Sequence, residues 1–221
     1  MLRWYGDPGK AARALLLAHG AGAGHGHPWM IKVATGMAAR GVPTATFDFP
    51  YKAAGRNAPD RAPILEKAFQ DAWLEAASAA RGPIFAGGKS MGGRIASQSA
   101  ALGGLEPRPA GLVFFGYPLH PPGKPDQRRD HHLPKVGAPM LFISGTRDPF
   151  ASPAELEALV GGLDRTTLHL VEGGDHSLAT PKRADPDGTL LDRTMDVAAK
   201  WMTELEIRNW EFPVQSSKFK V

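Results

Sequence analysis

The sequence predicts a three-layer α/β fold with a mostly parallel sheet, and two regularities support this prediction. Short apolar runs of strand length recur along the 221 residues, and each is bounded by Gly or Pro. Continuous apolar runs are typical of strands that are buried on both faces, as in parallel sheets. Amphipathic helical patterns lie between the runs, which implies right-handed crossovers and helices on both faces of the sheet.

These patterns predict about six strands and five helices in one domain over residues 1–207. The strands are Ala14–Ala18, Thr44–Phe49, Pro83–Ala86, Gly111–Phe115, Pro139–Ser144 and Thr167–Val171. The helices are Pro28–Arg40, Pro63–Ala80, Met91–Leu102, Ser152–Val160 and Gly188–Ile207, in which apolar residues recur three or four positions apart. Residues 208–221 lack this periodicity, and we expect an irregular C-terminal tail there.

The composition excludes several classes of protein. A hydrophobic content of 43% and a charged content of 22% are those of an ordinary globular protein. Without cysteine the chain can form no disulfide, no thiolate metal site and no thiol nucleophile. The net charge of +4 invites a nucleic-acid interpretation, but no basic helix or basic run is present, so we expect no nucleic-acid partner.

The chain contains no apolar run of membrane-spanning length, and its N-terminus lacks the apolar core of a signal peptide. We therefore expect a soluble, cytoplasmic protein with no membrane association. The pattern does not indicate an oligomeric state.

The strongest motif is Gly88-x-Ser90-x-Gly92, which directly follows a predicted strand and precedes a predicted helix. This pattern is typical of a strand–turn–helix elbow that exposes a nucleophilic serine at the sheet edge. Two alternatives remain open: Ser90 could merely cap the helix, or Gly88-Lys89-Ser90 could end a phosphate-binding loop. The second requires Gly at position 83, where the chain has Pro83.

Candidates for the acid and base follow the next long strands. Asp148 and His176 come in the order Ser, Asp, His that α/β-hydrolases use, each just beyond a strand. We expect His176 to take the proton of Ser90 and Asp148 to orient His176. Glu172 and Asp175 are alternative acids; alternatively, Asp148 is only a turn residue and His176 only an exposed loop residue.

The loop after the first strand, His19-Gly20-Ala21-Gly22, is a candidate oxyanion hole because small residues let backbone amides approach a negative oxygen. We expect Ala21 N–H and Met91 N–H to be the donors, with Gly22 as an alternative, and His19 to shape the loop. The same loop resembles a dinucleotide-binding G-x-G-x-x-G but completes it in neither register.

Two histidine pairs raise the question of a metal site. His25/His27 and His131/His132 lack the helical i, i+4 spacing of a zinc site and have no adjacent third ligand. We therefore expect no metal and no other cofactor.

Together these motifs resemble a compact α/β-hydrolase family related to the dienelactone hydrolases. That family includes predicted bacterial hydrolases and the eukaryotic testis-expressed and NSL-complex hydrolase-like proteins. The motifs begin at His19 (HGAGAG), Gly87 (GGKSMGGR), Gly116 (GYPLHPPGKP), Gly145 (GTRDPF) and Gly173 (GGDHS). The resemblance implies the α/β-hydrolase fold and the triad Ser90, Asp148 and His176, with His19, Gly20, Gly88, Lys89 and Gly92 as supporting motif residues. Because the chain lacks extra N-terminal strands and a helical cap domain, we expect a minimal core with an open site.

The functional expectation is a serine hydrolase of the carboxylesterase type that acts on small acyl esters or thioesters. The alternative is a catalytically idle hydrolase-fold scaffold that binds a partner. Two predicted loops, Pro50–Ala62 and Leu119–Pro139, carry more basic than acidic residues and should border the site. We therefore expect the small-molecule acyl substrate to be anionic.

Overall fold

A computed structural model describes residues 1–183 and 185–211 of the chain. The strands are β1 Arg3–Tyr5, β2 Ala14–Ala18, β3 Thr44–Phe47, β4 Ile84–Lys89, β5 Leu112–Phe115, β6 Met140–Gly145 and β7 Thr166–Val171. The helices are α1 Pro28–Ala39, α2 Pro50–Ala53, α3 Ala62–Ala79, α4 Met91–Ala101, α5 Pro153–Gly161 and α6 Leu190–Glu211, with a 3-10 turn at Leu133–Lys135.

The seven strands form one sheet in the order β1-β3-β2-β4-β5-β6-β7. All neighbours pair in parallel except β1, which runs antiparallel to β3. After β2 the chain moves outward to β3 and then returns to place β4 on the other side of β2. Open α/β sheets bind ligands at such a reversal, beyond the carboxyl ends of the strands.

Helices cover both faces of the sheet, as the alternating pattern predicted. One core contains the apolar faces of α3, α4 and α5, including Phe69, Trp73 and Leu156. The other core contains those of α1 and α6, including Met37 and Met202. The described residues contain no large cap domain above the sheet edge, so the predicted minimal α/β-hydrolase fold is confirmed.

The structure corrects the predicted elements in several places: strand β3 ends at Phe47 rather than Phe49, and a short helix, α2, lies inside the predicted loop Pro50–Ala62. The sheet has a seventh strand, β1, which the sequence did not indicate because three partly exposed edge residues make no buried run. Strand β4 continues past the predicted end at Ala86 to Lys89, since Gly87 and Gly88 still pair with β5. Helix α6 extends to Glu211, so residues 208–211 are helical rather than irregular. The rest of the predicted tail, residues 212–221, lies outside the described residues.

Candidate active site

Ser90 occupies a sharp turn between β4 and α4. Its backbone has φ 52° and ψ −117°, a conformation that residues with a Cβ rarely adopt. The elbow glycines allow this turn, because a methyl group at Gly88 would overlap the backbone of Gly92 and Gly93, and one at Gly92 would overlap the carbonyl of Ala18. The turn therefore lifts the Ser90 side chain above the sheet edge at the point where β2 and β4 end.

His176 lies in the loop after β7 and contacts both of its predicted partners. Its Nε2 is 2.8 Å from Ser90 Oγ, and its Nδ1 is 2.8 Å from Asp148 Oδ2. The ring stacks on Phe150 with centroids 4.1 Å apart, which fixes its plane. The structure thus brings together three side chains that are 28 and 58 residues apart along the chain.

Asp148 is held in place by several donors. Its side chain is buried, with Oδ1 accepting from the backbone N–H of Phe150 at 2.9 Å. Oδ2 accepts from the hydroxyl of Ser144 at 3.4 Å as well as facing His176. These contacts leave a fixed carboxylate oxygen against the imidazole, the arrangement that selects the tautomer with the proton on Nδ1.

The two alternative acids have other roles. Asp175 Oδ1 accepts from the backbone N–H groups of Ser177 and Ala179, at 2.7 and 3.0 Å, and so folds the loop that carries His176. Glu172 faces the hydroxyl of Thr146 at 3.5 Å. Neither carboxylate contacts the imidazole of His176.

Lys89 supports the same loop from below. Its Nζ donates to the backbone carbonyl of His176 at 2.6 Å and lies 5.9 Å from the centre of the Trp29 ring. Burial lowers the pKa of Lys89 to about 8, although Asp148 and Asp175 oppose the shift. The Lys89 amine is therefore held by a hydrogen bond within the protein, and Lys89 positions the loop that carries His176.

The candidate oxyanion loop after β2 lies directly beside Ser90. A Cβ on Gly20 would be 3.5 Å from Ser90 Cβ, and Gly20, Ala21 and Met91 all line the same cleft as Ser90. Gly22, the alternative donor, has φ +74° and does not line this cleft.

His19 shapes this loop from within the core. It is fully buried, its Nε2 accepts from the backbone N–H of Phe49 at 3.1 Å, and its Nδ1 therefore donates to the Gly20 carbonyl at 2.8 Å. Burial lowers the pKa of His19 and keeps the ring neutral. Asp48, which the sequence analysis missed, accepts from His25 N–H at 2.7 Å and fixes the far end of the loop. Its position just after β3, at the same sheet edge, could have indicated this role.

Ser90 opens into a cleft of about 490 Å³. Its apolar wall consists of Trp29, Met30, Leu65, Met91, Pro118 and Phe150. Three basic residues line the cleft, Lys89, Arg94 and Arg129, against one acidic residue, Asp60. Both predicted basic loops reach the cleft, but Arg129 is the only basic residue of either loop that lines it. Arg94 was missed, although it lies one helical turn after Ser90.

A second serine–histidine contact lies behind the cleft. Ser97 Oγ is 2.8 Å from His132 Nε2 and 2.8 Å from the Arg94 carbonyl. Ser97 is 0% exposed and does not line the cleft. The contact between Ser97 and His132 joins the loop after β5 to helix α4. Burial and the charge of Arg94 lower the pKa of His132 to about 4.

His25 and His27 have structural partners. His27 caps helix α1 by accepting from Trp29 N–H at 3.2 Å, and His25 Nε2 is 3.6 Å from Asp48. Within residues 1–183 and 185–205, whose side chains the structure describes, no group of three or more His, Asp or Glu side chains is arranged to hold a metal ion. Nor does any helix in that part of the chain have the length and apolarity needed to span a membrane.

Three solved structures with high coverage share this fold. Est1E from Butyrivibrio proteoclasticus, solved with bound ferulic acid, matches with a TM-score of 0.70 and 14% identity, covering 93% of this chain and 96% of its own. A dienelactone hydrolase from Anabaena variabilis matches with a TM-score of 0.68 and 22% identity, covering 89% and 88%. A monoacylglycerol lipase from Paleococcus ferrophilus matches with a TM-score of 0.66 and 15% identity, covering 93% and 98%.

The sequence also matches the model of a protein family over most of its length. The model described as an alpha/beta hydrolase domain matches residues 11–204, which include both elbow glycines and all three residues of the Ser90–His176–Asp148 chain. The resemblance to an α/β-hydrolase family is thereby confirmed, and a dienelactone hydrolase is among the proteins that share the fold. The chain belongs to the alpha/beta hydrolase domain family.

Proposed function

We propose that this protein is a serine hydrolase of the carboxylesterase type, cleaving small acyl esters or thioesters through an acyl-enzyme. The observation that carries the proposal is the continuous chain of contacts from Ser90 Oγ to His176 Nε2 and from His176 Nδ1 to Asp148, each 2.8 Å long. A serine hydroxyl becomes a useful nucleophile only when such a base takes its proton.

The reaction that this geometry supports has two steps, acylation of Ser90 and hydrolysis of the acyl-enzyme. Ser90 Oγ attacks the acyl carbon while its proton passes to His176 Nε2, and Asp148 stabilises the resulting imidazolium. The bond to the leaving oxygen or sulfur then breaks, and His176 returns the proton to the leaving group. Water attacks the acyl-enzyme by the same path, releasing the acid and restoring the Ser90 hydroxyl.

The carbonyl oxygen becomes negative in both steps and needs donors in fixed positions. We assign this role to the backbone N–H groups of Ala21 and Met91, which flank Ser90 in the cleft. Met91 is the first residue of α4, where unpaired amides and the helix dipole favour negative charge. The chemistry requires no metal and no organic cofactor.

The buried Ser97–His132 pair does not compete with Ser90 as a nucleophile. Ser97 is out of reach of a substrate in the cleft, and its hydroxyl faces the Arg94 carbonyl. His132 is also a weak base, because its pKa of about 4 leaves little driving force for accepting a serine proton.

Steady-state hydrolysis of p-nitrophenyl acetate tests the proposal with two matched variants. Ser90→Ala should lower kcat/KM by about 10⁴-fold or more, because it removes the nucleophile and leaves only the oxyanion donors and binding. Ser97→Ala removes the same hydroxyl from the buried pair and should retain most of the activity.

Equal turnover by Ser90→Ala and the unaltered protein would refute the assignment. If the unaltered protein neither turned over esters nor reacted with a fluorophosphonate faster than a denatured control, the idle-scaffold alternative would replace it.

A further inference from the structure

We propose that Arg94 and Arg129 form a carboxylate-binding subsite in the Ser90 cleft, so that the substrate is an ester or thioester carrying a second, anionic carboxylate. This inference rests on the proposed function of Ser90 and names the substrate class. It depends on where the two guanidinium groups lie, what they contact and how the cleft is charged.

Arg94 is a partly buried cation, and none of the described residues gives it an acidic partner at hydrogen-bond distance. It lies on α4 one turn after Ser90, and its backbone N–H donates to the Ser90 carbonyl at 3.2 Å. Its Nη1 makes a long contact of 3.4 Å with Gln98, while its Nε is buried with no hydrogen-bond partner among the described residues. Leaving a buried guanidinium N–H without an acceptor costs free energy, and an oxygen of a bound ligand could accept that hydrogen bond.

Arg129 reaches the same cleft from the loop after β5. Its backbone is fixed at both ends of the peptide, since its N–H donates to Leu119 and its carbonyl accepts from the hydroxyl of Tyr117. Its side chain lines the cleft and forms no hydrogen bond or ion pair with any residue that the structure describes. The loop is thus anchored while the guanidinium group remains available.

Arg94 and Arg129 lie close enough for their positive charges to repel each other. After burial, the charge of Arg129 is the largest influence that lowers the pKa of Arg94, which means that the two cations repel; Tyr117 and Glu66 oppose the shift more weakly. An anion placed between them would remove this repulsion. Planar guanidinium groups bind carboxylates through paired N–H donors, so a carboxylate fits the site in geometry as well as in charge.

The other charged groups of the cleft do not cancel this positive end. Asp60 forms an ion pair with Arg56 through Oδ1 at 2.8 Å, which offsets its charge, while its buried Oδ2 has no hydrogen-bond partner among the described residues. Lys89 donates to the His176 carbonyl and is therefore committed to the protein. The charge left for a ligand is that of Arg94 and Arg129.

The probe needs an ester that Ser90 can attack and a carboxylate that the arginines can bind. Arg94 lies about one helical turn after Ser90 and lines the same cleft, so a short molecule can present both groups there. Monoethyl glutarate is such a probe, and ethyl 4-carbamoylbutanoate is its neutral counterpart of the same shape.

Calorimetric titration of both probes into the Ser90→Ala protein measures binding without turnover. The carboxylate probe should bind at least about 10-fold more tightly than the amide, because charge-assisted hydrogen bonds to two guanidinium groups favour it. Adding Arg94→Met or Arg129→Met should weaken the carboxylate probe by about 10- to 100-fold and leave the amide within about threefold.

Lys124→Met is the matched control, because Lys124 is an exposed cation of the same loop that does not line the cleft. It should preserve the preference for the carboxylate. Equal affinity for the two probes, or an equal loss in Lys124→Met, would overturn the subsite. Since Arg129 lies on a surface loop, its variant keeps the test valid even if Arg94→Met fails to fold.

The same probes separate this inference from the proposed function. If the carboxylate binds selectively but the protein with Ser90 intact hydrolyses no ester, the subsite stands and the esterase assignment fails. If neutral esters are hydrolysed without any preference for the carboxylate, the esterase assignment stands and the subsite fails.

Discussion

At the scale of single residues, Lys89 connects the nucleophile to the base. It precedes Ser90 in the chain, yet its Nζ donates to the backbone carbonyl of His176, 87 residues away. The loop that carries His176 is otherwise held by Asp175 and by Trp29, whose Nε1 donates to the Ser177 carbonyl at 3.0 Å. The position of the imidazole therefore depends on a side chain within the elbow itself.

Replacing Lys89 should impair catalysis more than binding. In Lys89→Met the His176 carbonyl loses its donor, and we expect kcat for p-nitrophenyl acetate to fall about 10-fold while KM changes by less than about twofold. Steady-state kinetics measures both parameters. A rise in KM with unchanged kcat would mean that Lys89 contacts the substrate instead of positioning the histidine.

Residue-level prediction succeeded where a side chain is tied to the end of a strand. Ser90, Asp148 and His176 each follow a strand of the parallel part of the sheet, so the sheet itself carries them to one edge. Arg94 could not be assigned in this way, because which side of α4 faces the cleft depends on packing against α3 and the sheet. Lys52, Arg61, Lys124 and Lys135 do not line the cleft, although their loops reach it, because the sequence of a loop does not fix which of its side chains face inward.

At the scale of elements, the close approach of β2, β4 and α4 makes the elbow possible. Residues Leu17 and Ala18 of β2 pair with Gly87 and Gly88 of β4, and the first turn of α4 rests on the carbonyl of Ala18. The oxyanion loop begins directly after Ala18. The same contact therefore determines both the exposure of Ser90 and its distance from the candidate donors.

A single methyl group should break this contact. In Gly92→Ala the added carbon would overlap the Ala18 carbonyl, and we expect the free energy of unfolding to fall by about 3 kcal/mol or more. Gly137→Ala is the control, because a Cβ there meets nothing within 4 Å. Urea denaturation of both variants measures the effect; equal stability would show that the backbones can separate at little cost.

The predicted and observed ends of the strands and helices agree where the sequence has a clear apolar pattern. The strands that are buried on both faces were predicted to within a few residues, since an apolar run is the signal. The edge strand β1 was not predicted, because its pairing with β3 is antiparallel and its residues are partly exposed. Helix α6 was predicted to end early, since the apolar periodicity weakens near Arg208 while the backbone helix continues.

At the scale of the whole molecule, buried histidines couple stability to pH. His132 has a pKa of about 4 because burial, and then the charge of Arg94, disfavour its protonated form. Burial lowers the pKa of His19 as well. In the unfolded chain both rings titrate near the ordinary value of about 6.5, so below that pH the unfolded state binds more protons than the folded state.

The free energy of unfolding should therefore fall as the pH falls from about 6.5 to 4. We expect His132 alone to contribute about 2 kcal/mol of this loss, less than the full pKa shift would give, because its ring is only partly buried and solvent screens part of the effect. Urea denaturation at pH 7, 5.5 and 4.5 measures the slope, and His132→Gln should flatten it. A stability that is constant over this range, or a slope that the variant leaves unchanged, would contradict the burial of a neutral His132.

The central claim is that Ser90 is the nucleophile, and covalent labelling tests it most directly. We predict that a fluorophosphonate added to the native protein attaches to one residue, and that mass spectrometry of the digested adduct locates it on Ser90. His176→Asn, which removes the base, should slow the labelling by several orders of magnitude. An adduct on Ser97, or labelling of Ser90 no faster than in the denatured protein, would contradict the account.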